Sequence, residues 1–311
     1  MKHSLWIGFL LTLLVVGCSQ ENEMENQSAD FEGKIFTASF ESGQSRTYLK
    51  NGRLSLWTAN DRISLFNGNT LNCHYCFDGD TGDDSGMFFM MDKPDGTGHV
   101  LSANYAVYPY DADMEISTTG VVKATWRANQ SYAPNSYGLG DNLMVAVTSD
   151  TDDTFLYFKS VGGCFKLQLY GEDVAVKSIT LTGNDGEKIA GEANVTVVYD
   201  QGPTVSMTDA ATTSITLDCG NGITLGATTE SATAFWFVLP PVTFSKGVTV
   251  TVTDVEGRSF TQSTSKELVI KRNVVKPMVA VEVDVEKGLG EFLDYDYDPD
   301  MPYGDDEEEW F

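Results

Sequence analysis

Histidine is nearly missing from this chain, which carries only His3, His74 and His99. So few imidazoles leave little from which to build histidine-based proton transfer or a zinc site. Cysteine is scarce too. Apart from Cys18 there are Cys73, Cys76, Cys164 and Cys219, too few for a disulfide framework in a chain of this length. Lys and Arg number 20 against 45 Asp and Glu, a net charge of -25. With no cationic surplus to neutralise phosphates, nucleic acid is not an expected partner. Gly-x-Ser-x-Gly is absent, and with it the nucleophile elbow of serine hydrolases. After residue 17 no apolar run reaches 18 residues, so no transmembrane helix is expected. No long segment shows helical period with caps at both ends.

What is present begins at the N-terminus. Met1-Lys2-His3 is a short basic start, Leu5 to Val16 is an apolar run broken only by Gly8 and Thr12, and Val15-Val16-Gly17-Cys18 closes it. This is the pattern of a secretory signal, shorter than the roughly 20 residues a membrane span needs. Gly17 before Cys18 and the polar Ser19-Gln20-Glu21 after it resemble a bacterial lipobox, with Val15 where Leu is usual. The resemblance implies a signal over residues 1–17 and lipidation of Cys18, which becomes the new N-terminus. Several acyl chains at about 0.8 kcal/mol per buried methylene would hold the protein at a membrane. Residues 18–30 lack apolar periodicity and read as a solvated tether. Their acidic stretch resembles the surface-export signals of Bacteroidetes lipoproteins, which implies a surface-exposed place on the outer membrane.

The body is written almost entirely in period two. Phe36, Ala38 and Phe40 alternate with polar residues, as do Ile63 and Leu65, then Phe165, Leu167 and Leu169, then Ile179 and Leu181, then Ile215 and Leu217. In Val248-Thr249-Val250-Thr251-Val252-Thr253 every valine falls on one face and every threonine on the other. Turn chemistry separates the runs at Asn67-Gly68, Asp95-Gly96, Asn184-Asp185-Gly186, Asn221-Gly222 and Glu256-Gly257. Short alternating strands punctuated in this way predict an all-β chain of sandwich domains. The polar stretch Ser149-Asp150-Thr151-Asp152-Asp153 suggests dividing it into 31–150 and 151–284. Val279 to Val283 forms the closing strand, and 285–311 is an acidic tail. From Glu282 onward, thirteen acidic residues against the single Lys287 give a net of -12.

Several local patterns invite chemistry. Cys73-His74-Tyr75-Cys76 has two thiols and an imidazole, but no second pair stands at zinc-finger spacing. On a strand, positions three apart face opposite sides, so ordinary strand residues are expected, with a local disulfide as the alternative. Asp78-Gly79-Asp80-Thr81-Gly82-Asp83-Asp84 resembles a calcium loop, yet its fifth position is Gly82 and its twelfth is Phe89 where a glutamate is required. A solvated loop is expected there. No spacing singles out a pair of carboxylates for glycoside hydrolysis, so no catalytic residue, metal or cofactor is assigned. Trp126, Tyr132, Tyr137, Trp236 and the Tyr105–Tyr110 cluster read as core aromatics, with stacking on sugars as the alternative.

A family resemblance emerges from the order of several pieces. Phe36-Thr37-Ala38-Ser39-Phe40, then Arg46-Thr47, then Leu56-Trp57-Thr58-Ala59-Asn60-Asp61-Arg62-Ile63-Ser64-Leu65-Phe66 resembles the opening of fimbrillin-type pilins of Bacteroidetes. Further pieces are Tyr105-Ala106-Val107-Tyr108-Pro109-Tyr110, Leu143-Met144-Val145-Ala146, Phe155 to Phe158, Phe237-Val238-Leu239-Pro240-Pro241 and the strand from Val248 to Gly257. The resemblance covers most of residues 31–284 and implies two tandem transthyretin-like, Greek-key β-sandwich domains. It also implies a non-enzymatic subunit of a fimbrium, whose partners are other pilin subunits, of the same or sibling chains, and whose role is in adhesion.

In that family many members polymerise after a trypsin-like, Arg-specific protease removes the first strand. Here the resemblance places the lost strand at 31–41, with Phe36, Ala38 and Phe40 as its apolar side chains, and the cut between Arg46 and Thr47, with Arg53 as second candidate. The alternative leaves both arginines as solvated loop residues and the strand in place. A replacement strand carried at the C-terminus would be Leu293, Tyr295 and Tyr297, at period two among aspartates; a solubilising tail is the other reading. The competing function is a monomeric surface lipoprotein that binds glycan or host protein through its loops.

Overall fold

Alternating apolar and polar residues make strands of most of the chain, as the period-two pattern predicts. A computed structural model describes residues 33–41, 48–50 and 54–291. In chain order the strands begin with β1 (Phe36–Phe40), β2 (Tyr48–Lys50), β3 (Leu54–Leu56), β4 (Arg62–Phe66), β5 (Cys73–Asp78) and β6 (Ser85–Asp92). Next come β7 (Tyr105–Tyr108), β8 (Glu115–Ile116), β9 (Val121–Trp126), β10 (Asn129–Ala133), β11 (Ser136–Tyr137), β12 (Met144–Val147) and β13 (Phe155–Ser160). They are followed by β14 (Gly163–Tyr170), β15 (Ala175–Gly183), β16 (Gly191–Thr196), β17 (Thr204–Met207), β18 (Ser214–Thr224) and β19 (Thr233–Leu239). The last six are β20 (Val242–Phe244), β21 (Val248–Asp254), β22 (Ser259–Ser263), β23 (Leu268–Ile270), β24 (Val275–Asp284) and β25 (Gly288–Leu289). Among the described residues, helix is limited to the 3-10 turn Thr229–Ser231. The chain is all-β.

Seven strands close a barrel in the order β1, β13, β12, β7, β4, β5, β6 and back to β1. Six of its seven pairings are antiparallel; β1 and β13 run parallel. The polar stretch 149–153, at which the sequence suggested dividing the chain, lies between the two barrel strands β12 and β13. Strand β14 repeats the arrangement of β1, antiparallel to one neighbour, β19, and parallel to the other, β24. Residues 115–137 cross to the second half: β9 pairs with β16, and β10 with β18.

Two apolar cores follow from these pairings. One fills the barrel around Trp57, Tyr75, Phe77, Phe88 and Phe158; the other is larger and lies under β14, β15, β18, β19 and β21. Every residue of β7 is buried: Ala106 and Tyr108 face the barrel core, while Tyr105 and Val107 belong to the second core. The barrel wall at this strand is therefore shared, which explains why Tyr105 to Tyr108 reads as continuous apolar sequence rather than as alternation.

The Val-Thr run of β21 behaves as written. Its valines are buried, and Thr249, Thr251 and Thr253 form hydroxyl pairs with Ser263, Thr261 and Ser259 at 2.7, 2.9 and 3.2 Å. Strand β19 has its outer edge covered by a side chain. Gln130 donates to the Val238 carbonyl at 2.7 Å and accepts from the Val238 amide at 2.9 Å, and the Trp126 indole donates to the same carbonyl at 3.1 Å. A side-chain amide thus takes the place of a strand neighbour and blunts the edge.

One predicted turn is corrected. Asn221-Gly222 does not end a strand: β18 continues through it, with Asp218 opposite Ser178 and Ile223 opposite Val176. Residues 219–222 form a bulge facing Lys177, whose ammonium is bonded to the Gly220 carbonyl. Gly220 and Gly222 supply the positive φ angles, +60° and +110°, that such a bulge requires. The acidic segment expected from residue 285 begins within ordered structure, since β25 pairs with β24 and Leu289 is buried.

Candidate functional site

Strand β1 is short, carries few ladder positions and completes the barrel, so its seat is where one strand decides whether the fold is closed. Its inward residues are Phe36, Ala38 and Phe40, the first two fully buried and the third half-buried. Ala38 lies opposite Leu156 on β13 and Gly86 on β6. The Phe36 ring meets Tyr75 edge-on at 5.7 Å, and the Phe40 ring lies 4.3 Å from Trp57.

Trp57 is the floor of this seat. It also contacts Phe88 at 4.9 Å, Phe158 at 5.3 Å, Phe77 at 5.6 Å and Tyr108 at 6.0 Å between ring centroids. Its backbone is clamped to the loop between β5 and β6, donating to the Asp83 carbonyl at 2.7 Å and accepting from Gly82 at 2.9 Å. The following turn is held by Asp61, whose carboxylate accepts from the Thr58 amide at 2.7 Å and from the Tyr108 hydroxyl at 3.2 Å. Asn60 supplies that turn's left-handed residue, at φ +66°. The Trp and Asp-x-Ile pattern in the sequence is thus the record of one buried ring and the turn that positions it. Burial, with the Asp61 carboxylate beside it, pushes the Tyr108 hydroxyl well above the usual tyrosine range.

Between the two aromatic contacts the seat narrows. A side-chain carbon on Gly86 would lie 2.5 Å from the Phe77 ring. The Ala38–Gly86 level is narrow because Phe77 already occupies it.

The C-terminal end of β1 is tied to the second half of the chain. Glu41 donates its amide to the Phe158 carbonyl at 2.8 Å and accepts from the Ser160 amide at 2.8 Å through its carboxylate. Arg272 donates to that same carboxylate and, at 2.9 Å, to the Ser160 carbonyl. Replacing Arg272 by alanine is expected to weaken this latch by about 1–2 kcal/mol, allowing for its partial exposure. Amide exchange in β1 should then accelerate roughly 5- to 30-fold. Unchanged exchange at Ser39 and Glu41 would mean that the latch contributes nothing.

The sequence-predicted residues fall into three groups. Phe36, Ala38 and Phe40 are brought together on one face of β1. Cys18, Arg46, Thr47, Arg53, Leu293, Tyr295 and Tyr297 lie outside the described residues. The candidates for other chemistry are dispersed: Cys73 is buried and Cys76 half-buried on alternate faces of β5, both thiols are free, and burial pushes both up. His74 stacks on Tyr110 at 4.1 Å, and burial, followed by the Arg62 charge, lowers its pKa. No cluster of three His, Cys, Asp or Glu suited to a metal occurs among the described residues. Asp78–Asp84 leads from the end of β5 toward β6, with the Asp83 carboxylate accepting from the Asp80 amide at 2.9 Å.

Trp126, Tyr137, Trp236, Tyr105 and Tyr108 are buried, and Tyr132 packs against Phe235 at 5.4 Å. These rings are committed to the core and offer no stacking platform. A depression of mixed character lies beside them, lined by Tyr110, Asp111, Thr125, Arg127, Gly140 and Asp141 and by the apolar Pro109, Met114, Trp126 and Leu143. There the Arg127 guanidinium is paired with Asp141 at 3.2 Å, and burial raises the Asp141 carboxyl despite that partner. Sequence reasoning missed Glu41, Arg272 and Gly86. The latch joins residues 231 positions apart, and no local pattern could have announced it.

No protein-family model matches the chain, and no curated protein matches it. Among solved structures, a candidate cell adhesion protein from Bacteroides uniformis shares 16% identity and a TM-score of 0.47, over 85% of this chain and 96% of that one. A second such protein, from Bacteroides ovatus, shares 11% identity and a TM-score of 0.45, over 84% and 98%. The tip fimbrial protein Mfa3 of Porphyromonas gingivalis, with a C-terminal truncation, shares 10% identity and a TM-score of 0.34, over 84% and 98%.

Proposed function

We propose that this chain is a fimbrillin-type surface lipoprotein of two tandem transthyretin-like β-sandwich modules, a structural or tip subunit of a pilus with a role in cell adhesion. In this reading Cys18 carries the lipid that anchors the precursor to the outer membrane. An Arg-specific protease cuts after Arg46, β1 leaves, and a strand from another subunit takes its place. The single observation that carries the reading is the seat of β1. It is a short strand, with two phenylalanines inserted into an aromatic floor, and its loss uncovers two ladder edges beside an apolar groove. Burying Phe36 fully and Phe40 in part contributes about 2–4 kcal/mol, enough to hold the strand until it is exchanged for a longer or better-fitting one.

Limited trypsin digestion of the chain from Ser19 onward tests this. The expected result is a new N-terminus at Thr47 and loss of β1 from the product, with oligomers that survive gel filtration once a subunit able to donate a strand is supplied. A product that is cut after Arg46 yet keeps β1 in place argues against strand exchange.

A further inference from the structure

The seat of β1 selects its occupant by size, and that selection excludes this chain's own C-terminal segment. Resting on the strand-exchange reading above, we infer that the replacing strand carries a small residue between two bulky ones at period two, and that it comes from a second chain of different sequence. Phe36 and Phe40 reach Tyr75 and Trp57, whereas Ala38 is 0% exposed at the level where Phe77 presses on Gly86. Whatever replaces β1 meets the same walls, because Tyr75, Trp57, Phe77 and Gly86 all lie on the part of the barrel that remains. The required pattern is therefore large, small, large.

Residues 291–311 do not supply it. Leu293, Tyr295 and Tyr297 are large at all three places, so a tyrosine or leucine falls at the Ala38 level in any register that uses two of them. Tyr297, Pro299 and Met301 come nearest, but a proline at the centre lacks the N–H that a ladder needs.

The outward positions count against the same segment. Between the ladder neighbours Phe155 and Met87, which are 48% and 45% exposed, β1 places the uncharged Thr37. With Leu293, Tyr295 and Tyr297 inward, the segment would set Asp294 or Asp296 between those two apolar side chains. A strand suited to the site carries an uncharged or apolar residue there, which would cover Phe155 and Met87.

Two measurements test this together. In the intact chain, Ala38→Tyr is compared with Thr37→Tyr, which places the same ring on the outward face of the same strand. Ala38→Tyr should destabilise strongly and Thr37→Tyr little; equal urea midpoints would overturn the size rule whether or not strands ever exchange. The full chain from Ser19, nicked within 42–47, is then offered labelled peptides under mild denaturant and run on a native gel. The peptides are 34–41, the same peptide with Ala38→Tyr, and 290–301. Peptide 34–41 should be retained, with the Ala38→Tyr peptide and 290–301 roughly 5- to 150-fold weaker, the range set by overpacking a filled core. Retention of 290–301 as tight as that of 34–41 would overturn the assignment to a different chain. If the nicked chain never releases β1 and takes up no peptide, the exchange reading fails and the partner assignment falls with it, while the comparison of urea midpoints still decides the size rule.

Discussion

Replacing Trp57 by alanine should destabilise the barrel by about 3–5 kcal/mol, the range for deleting a large aromatic from a filled core. Five phenylalanine and tyrosine rings from β1, β5, β6, β7 and β13 surround its fully buried side chain, so no single neighbour can move in to close the cavity. The indole N–H finds no acceptor among the described residues. Trp57→Phe therefore forfeits packing but no hydrogen bond, and should cost less than half as much. Urea denaturation followed by circular dichroism checks both. A loss below about 1 kcal/mol for Trp57→Ala would show that the rings repack and that the floor of the β1 seat is not rigid. The variant also bears on function, because a collapsed floor would loosen β1 without any proteolysis.

The second large effect is expected at Asn104, which is fully buried just before β7. Its side-chain amide donates to the carbonyls of Asp153, Thr151 and Asp150 at 2.8, 3.2 and 3.4 Å. Thr148 completes the clamp, accepting from the Asn104 backbone N–H at 2.9 Å and donating to the Asp150 carbonyl at 2.6 Å. Asn104→Ala leaves these carbonyls without their buried donor and should cost about 2–4 kcal/mol. Hydrogen exchange should localise the damage to 149–155, the turn that feeds β13 and hence the parallel partner of β1. Uniform exchange across the barrel, or a loss under about 0.5 kcal/mol, would mean that water replaces the side chain in place.

Much of the secondary structure was legible because period two is a local property. Phe36, Ala38 and Phe40, the Val-Thr run of β21, and Phe165, Leu167 and Leu169 all face the way their alternation predicts. Asn221-Gly222 misled because the same dipeptide serves a turn or a bulge, and only the strands on either side decide which. Trp126 falls in phase with Val122 and Ala124, so its burial is legible in the alternation of β9, but what covers it and Trp236 is not. Each is covered by strands distant in sequence, as the bond from Trp126 to the Val238 carbonyl illustrates.

The sequence by itself determined that this chain is built from strands, that it holds only three histidines, and that Phe36, Ala38 and Phe40 form one face. Those conclusions depend on composition and on neighbours a few residues apart. Only the tertiary structure decided that β1 runs parallel to β13 and closes a barrel, that Phe77 narrows its seat at Ala38, and that Arg272 latches Glu41. Each of these joins segments far apart in the chain. Their pairing is selected by which surfaces can be buried together without voids or unpaired backbone groups, a condition that no local pattern encodes.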